Sequence, residues 1–281
     1  MPSATINGVE LYYEETGRGF PLVWCHEFGG DCRSWEPQVR YFSRRYRVVT
    51  WNYRGYPPSA VPADPAAYSV EILVEDLRAL LRHLGIARAH IGGLSLGGGI
   101  TLNFGLRHPE MAASLVVAAA GSGTVGRPEF LAGCARQIEL YRAGGIAAKA
   151  RWFAEQPSRR GFAAKDPRGW AEFLAGIERH SVEGSVHMLS EIQMKRKTIV
   201  ELEPELRRLP VPTLVVVGDQ DDPCLEPALF MTRHIPHAGL CVVPMTGHTV
   251  NIEEPALFNQ AVAEFLAGVE SGVWGSWRRD A

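Results

Sequence analysis

No apolar run in this sequence approaches the length of a membrane-spanning helix. The first residues, Met1-Pro2-Ser3-Ala4-Thr5, lack the basic-then-apolar order of a secretory signal, so a cytoplasmic protein is expected. Cysteine is scarce. The five, Cys25, Cys32, Cys134, Cys224 and Cys241, are odd in number, scattered and without metal-ligand spacing. They read as buried thiols in a reducing compartment, with no metal centre and no cofactor implied. Net charge is also nearly absent: 29 Lys and Arg stand against 31 Asp and Glu, a balance of −2. That removes the usual reason to expect nucleic acid or a membrane surface as a partner. There is no internal repeat and no low-complexity tract. What remains is ordinary globular material, 281 residues with 46% hydrophobic and 21% charged. This suits one large domain, or one domain with an insertion.

The first 121 residues alternate strand and helix signals. Ala4-Thr5-Ile6 and Val9–Glu14 flank an Asn7-Gly8 turn and predict a hairpin. Pro21–Cys25, Arg47–Trp51, Ala89–Ile91 and Ser114–Ala119 read as short strands. Between them, Trp35, Val39 and Phe42 recur at helical spacing, and Leu73, Leu77, Leu80 and Leu84 mark one face of a stronger helix. Apolar strands alternating with amphipathic helices predict a mostly parallel sheet covered on both faces. From Ser122 to Leu209 no strand signal occurs and the chain reads as helical. The sheet pattern resumes at Pro212–Val217 and Leu240–Val243, and Phe258, Val262, Phe265 and Val269 mark a last helix. The expected organisation is a core of residues 1–121 and 210–281, with 122–209 inserted after the sixth strand as a helical lid. Trp152, Phe153, Trp170, Phe173, Met188 and Met194 lie in that insertion. Trp152 and Met188 are candidates for an apolar pocket, although most such residues pack a lid onto itself.

Chemistry enters at Gly93-Leu94-Ser95-Leu96-Gly97. This G-x-S-x-G stretch follows a strand and opens a helix, the context of a nucleophile elbow. A side chain at Gly93 or Gly97 would collide with the neighbouring strand or helix. Ser95 would point its hydroxyl off the sheet, and the Leu96 N–H, at a helix N-terminus, would face a developing oxyanion. Two loops after later strands complete a set. Gly218-Asp219-Gln220-Asp221-Asp222 places carboxylates where a buried strand ends, and Met245-Thr246-Gly247-His248-Thr249 places an imidazole. The order Ser, Asp, His, each after a strand, is that of a serine-hydrolase triad.

The chain resembles the α/β-hydrolase-fold serine hydrolases that carry a helical cap. The resemblance spans nearly its whole length. It implies a mostly parallel sheet flanked by helices and an acyl-transfer site on Ser95, His248 and an aspartate. Asp221 matches the second aspartate of the family's Gly-Asp-x-Asp stretch; Asp219 and Asp222 remain the alternatives. The family's His-Gly loop stands here as His26-Glu27-Phe28-Gly29-Gly30, which implies Phe28 N–H as an oxyanion donor beside Leu96 N–H, with His26 orienting the loop. The family's Asp-x-Arg-Gly-x-Gly-x-Ser stretch stands as Asn52-Tyr53-Arg54-Gly55-Tyr56-Pro57-Pro58-Ser59, with Arg54 read as structural. A serine in the elbow argues against the dehalogenases and epoxide hydrolases of this fold, which use aspartate there.

Glu27 departs from the glycine that many relatives carry. Dienelactone hydrolases resemble this turn in having a glutamate. Either Glu27 faces the pocket and touches Ser95 or selects substrates, or it turns outward and pairs with Arg54 or another arginine. Lys195-Arg196-Lys197 would attract an acidic substrate or simply form a solvated helix face. Trp274 and Trp277, with Arg278 and Arg279, would dock on another subunit or form a loose end, so a homo-oligomer is allowed for. The expected reaction is hydrolysis of a small, partly apolar carboxylic ester or lactone. Cleavage of a C–C bond in a ring-cleavage product is the second reading, and a ligand-binding receptor on the same fold is the reading from another class.

Overall fold

The computed structural model describes residues 3–275. Its eight strands are β1 (Ser3–Ile6), β2 (Val9–Thr16), β3 (Phe20–Cys25), β4 (Tyr46–Trp51), β5 (Ala89–Leu94), β6 (Ala112–Ala118), β7 (Thr213–Gly218) and β8 (Ala238–Val243). They form one sheet in the order β1-β2-β4-β3-β5-β6-β7-β8. The hairpin predicted at Asn7-Gly8 is present, with Ile6 opposite Val9 and both turn residues at positive φ. Only β1 and β2 run antiparallel to their neighbours; β4, β3, β5, β6, β7 and β8 are mutually parallel.

The two faces follow from the period of two in each strand. Val23 and Cys25 of β3, Leu115 and Val117 of β6, and Val215 and Val217 of β7 enter one core. The intervening Leu22, Trp24, Val116, Ala118, Leu214 and Val216 enter the other. Because both faces are dry, the strands read as unbroken apolar runs rather than alternating ones. The first core is closed by α2 (Val70–His83) and α3 (Leu96–Arg107). The second is closed by α1 (Glu36–Phe42) and the last helix, Pro255–Glu270. Trp24 stacks on Trp35 at 4.3 Å in the second core, and both pack against Phe258 of the last helix.

Between β6 and β7 the chain forms helices joined by turns, with no strand. It runs through α4 (Arg127–Ala154), α5 (Arg160–Lys165), α6 (Pro167–Ile177), α7 (Val182–His187), a π-helical turn (Met188–Gln193) and α8 (Glu203–Leu206). A break inside α4 at Gly145, φ 65°, redirects its last turns. Phe162, Trp170 and Phe173 stack within this segment, so these aromatics pack it onto itself. The sequence reading missed α9 (Asp222–His234) after β7, which carries Pro223 in its first turn and Pro227 farther in. Then come α10 (Val250–Glu253) and α11 (Pro255–Glu270). Among the described residues no helix is long and apolar enough to cross a membrane. All five cysteines are free, four buried and Cys241 half-buried. The Trp274 indole donates to His237 O at 3.0 Å and packs edge-on against Phe265, within its own chain. Trp277, Arg278 and Arg279 lie outside the described residues.

Candidate active site

The centre is the turn between β5 and α3. Ser95 has φ 56°, a left-handed backbone that a non-glycine residue adopts only when its surroundings hold it there. Two close approaches hold it. A Cβ at Gly93 would lie 2.2 Å from Gly97 O, and one at Gly97 would lie 2.0 Å from Cys25 O on the neighbouring strand. The Ser95 N–H is fixed by Ala118 O at 2.8 Å. The serine is thus pinned at the strand ends, where open parallel sheets present their chemistry.

His248 reaches it from the loop after β8. Its Nδ1 lies 2.7 Å from Asp221 Oδ2, and its Nε2 lies 2.8 Å from Ser95 Oγ. A carboxylate only accepts, so Nδ1 carries the proton and Nε2 is left to accept from the serine hydroxyl. Asp219 acts elsewhere. Its Oδ1 accepts from Thr246 N at 3.1 Å and ties the β7 loop to the histidine loop. Asp222 begins α9. The histidine loop is held further by Glu253, whose Oε2 accepts from Gly247 N at 3.0 Å, and by Ser158, whose carbonyl accepts from His248 N at 2.9 Å.

The loop after β3 forms the facing wall. Among the described residues, neither Phe28 N–H nor Leu96 N–H is paired with a protein acceptor. His26 is buried and stacks on Tyr53 at 4.0 Å. Its Nδ1 donates to Glu27 O at 2.7 Å, and burial pushes its pKa down to about 4, so it stays neutral. Glu27 is also buried, and both of its oxygens take the Arg159 guanidinium. Burial works to raise its pKa; the charge and hydrogen bonds of Arg159, helped by His248, outweigh that and hold it below the ordinary range. Behind Phe28 lies Lys149 of α4. Its Nζ donates to Phe28 O at 3.3 Å, His180 Nδ1 at 2.9 Å and Ser185 Oγ at 2.9 Å, and sits 4.2 Å from the Phe28 ring centre. Burial pushes its pKa down to about 7, with Glu27 and Asp31 opposing.

These elements line an open cavity of about 180 Å³ with Ser95, Asp221 and His248, with Glu27 and Phe28, and with Trp152, Phe153, Arg159, Leu189 and Gln193 from the helical segment. Among the described residues, ligand-type atoms of Asp221, Cys224 and His248 lie within 4.8 Å of one another. Asp221 and His248 are bonded to each other, and the Cys224 thiol donates to Ala119 O, with burial and then the charge of Asp221 raising its pKa far above a free thiol's.

A family model described as the alpha/beta hydrolase family matches residues 22–261. The chain belongs to the alpha/beta hydrolase family. Among curated relatives it is similar to 3-oxoadipate enol-lactonase 2 of Acinetobacter baylyi, 29% identical over 92% of this chain and 93% of that one. It is equally similar to a protein provisionally named carbamate hydrolase RutD in Caulobacter segnis, 29% identical over 95% of this chain and 100% of that one. Among solved structures, a thermophilic esterase from Thermogutta terrifontis superposes with a TM-score of 0.83 at 27% identity, over 95% and 98% of the two chains.

Within this alpha/beta hydrolase, the residues singled out in sequence fare differently. Ser95, Asp221 and His248 come together in one hydrogen-bonded chain. Phe28 and Trp152 line the cavity with them. Met188 does not: it is buried against the Gly55 loop, which corrects its reading as a pocket residue. Leu189 and Gln193, four residues apart on the π-helical turn, share the cavity face, and Met188 falls on the neighbouring one. Glu27 does not turn outward: it lines the cavity and pairs there with an arginine, Arg159. Arg54 instead grips Asp76 with two 2.7 Å bonds, the structural role expected of it. The Lys195-Arg196-Lys197 run splits. Lys195 and Lys197 are exposed and pair with the half-buried Glu191 and Glu205, whereas Arg196 turns in to Ser122 O at 2.7 Å. Arg159, Lys149, Ser158 and Gln193 were not foreseen; each is an ordinary polar residue in a helical segment, and no local pattern marks it.

Proposed function

We propose that this protein is a serine hydrolase acting on a small carboxylic ester or lactone through an acyl-enzyme on Ser95. The observation that carries the reading is the chain Asp221–His248–Ser95, bonded at 2.7 and 2.8 Å at the strand ends. His248 Nε2 takes the hydroxyl proton as Ser95 Oγ attacks the carbonyl carbon. Asp221 holds the Nδ1–H tautomer and stabilises the imidazolium that forms. The tetrahedral oxyanion accepts from Phe28 N–H and Leu96 N–H; losing one such donor costs about 100–1000-fold in rate. His248 then returns the proton to the leaving group and activates water against the acyl-enzyme. Residues 122–209 act as a cap over a core made of 1–121 and 210–281. Relatives named for lactone and ester chemistry support this bond type.

A second reading keeps the machinery and changes the bond. Several relatives carry a carbamate hydrolase name, which favours an amide-like carbonyl. One experiment tests the shared mechanism: a fluorophosphonate probe labels Ser95, and the protein turns over p-nitrophenyl acetate. No labelling together with no turnover overturns it. A panel of simple esters, lactones and carbamates then separates the two readings.

A further inference from the structure

The cavity at Ser95 offers an anion no free positive charge. Its lining carries two carboxylates, Glu27 and Asp221, and one guanidinium, Arg159, while His248 is neutral as the acceptor of the Ser95 hydroxyl. Asp221 is bonded to His248, and Glu27 is bonded to Arg159 through both guanidinium Nη atoms. Glu27 is 1% exposed and Arg159 3%. A carboxylate entering this space would face the oxygens of Glu27 and find Arg159 already engaged. It would leave water without gaining a counter-ion, which is costly.

Among the described lining residues, one buried side-chain oxygen has no hydrogen-bond partner. Gln193 is 6% exposed and lines the cavity, and its Oε1 has no hydrogen-bond partner. Buried polar atoms are nearly always paired, so this one asks for an explanation. Its neighbours differ: Gln137 accepts from Tyr141 OH at 2.8 Å, and Gln156 donates to Trp152 O at 2.9 Å. A primary amide offers a donor and an acceptor whichever way it is turned. It therefore suits a neutral group such as a carboxamide or hydroxyl. The space beside Ser95, about 180 Å³, has room for an acyl portion of a few carbons.

We propose, resting on the serine-hydrolase reading above, that the site selects small uncharged acyl groups bearing a neutral hydrogen-bonding substituent. Gln193 reads that substituent, and the Glu27–Arg159 pair turns carboxylates away.

Three ethyl esters of nearly one shape test this: ethyl succinamate, ethyl hydrogen succinate and ethyl 4-methylpentanoate. The parent enzyme is expected to favour the succinamate over the hydrogen succinate by on the order of 10–100-fold in kcat/KM. Glu27→Gln frees the guanidinium to take a carboxylate in bidentate fashion, and shifts that ratio toward the hydrogen succinate by about tenfold or more. Gln193→Leu lowers the ratio of succinamate to 4-methylpentanoate by about tenfold, and serves if Glu27→Gln does not fold. Equal efficiency of the parent on charged and neutral esters overturns the proposal, as does an unmoved ratio in folded Glu27→Gln. Binding of succinamide and succinamate to Ser95→Ala, by calorimetry, reads selectivity without turnover. Preference for succinamide there, with no ester cleaved by the parent, upholds the selectivity and defeats the hydrolase reading. Turnover of all three esters at one efficiency does the reverse.

Discussion

The main-chain N–H of His248 donates to the carbonyl of Ser158, 2.9 Å away. The next residue, Arg159, holds Glu27 on the opposite wall. One short turn of the helical segment, Pro157–Arg159, therefore touches both the histidine loop and the loop that carries Phe28. Contact at Gly247 is tight, since a Cβ there would lie 1.9 Å from Ser158 O. Gly247→Ala is expected to push the histidine loop off this turn. A displacement of about 1 Å at a reacting group costs on the order of 100-fold in rate. Measuring kcat checks this, with circular dichroism to verify the fold; an unchanged kcat counts against the role given to the contact.

Replacing members of the bonded chain separates nucleophile from orienter. Ser95→Ala is expected to lower kcat by on the order of a million-fold. Asp221→Asn leaves the shape but loses the carboxylate that fixes the tautomer, for about a 10⁴-fold loss. Asp219→Asn keeps an oxygen able to accept from Thr246 N and is expected to retain most of the rate. Steady-state kinetics on one ester compares all three. If Asp219→Asn proves the more damaging aspartate change, the assignment of Asp221 is wrong.

Lys149 gives a pH signature. Its folded pKa is pushed down to about 7 by burial, from 10.5 for an ordinary lysine. Between those values the unfolded chain binds the extra proton, so this group alone makes stability rise with pH. Relative to Lys149→Met, the parent is expected to gain about 2 kcal/mol of unfolding free energy from pH 7 to pH 9. Urea titrations of both proteins at the two pH values give the difference. A flat or falling difference would show that the lysine is not held near neutrality.

Arg54 and Asp76 form a buried pair away from the cavity, with Asn7 also donating to the aspartate at 2.9 Å. Arg54→Met strands a buried carboxylate, at a cost of about 3–5 kcal/mol. The urea midpoint falls accordingly, while kcat of the folded fraction stays near the parent value. A large drop in kcat with unchanged stability would contradict the structural role.

Much of this architecture is legible in the chain because it is locally encoded. Buried parallel strands write themselves as apolar runs, and the elbow needs its glycines within four residues of one another. Asp221 is harder, since Asp219 sits two residues away at the end of the same strand; what separates them is which loop atom each meets in space. Helix α9 is hard to read because Pro227 argues against a helix interior, while burial of Ala228 and Met231 decides for it; Pro223 falls in the first turn, where a helix accepts proline. Arg159 and Lys149 were invisible. Their partners, Glu27 and Phe28, lie 132 and 121 residues away, and nothing local distinguishes these two cations from the solvated ones around them.

The strained backbone of Ser95 also bears on the order in which the molecule matures. Its φ of 56° is no local preference; it is imposed by Gly97 lying against Cys25 and by the Ser95 N–H meeting Ala118. β3, β5 and β6 must already be aligned before the elbow can exist, and such distant strand pairings are slow to form. On the proposed mechanism the proton acceptor is His248, which meets Ser95 only after β8 has closed the sheet. On that reading Ser95 gains its base only once the strands on both sides of the elbow and the loop after β8 are in place.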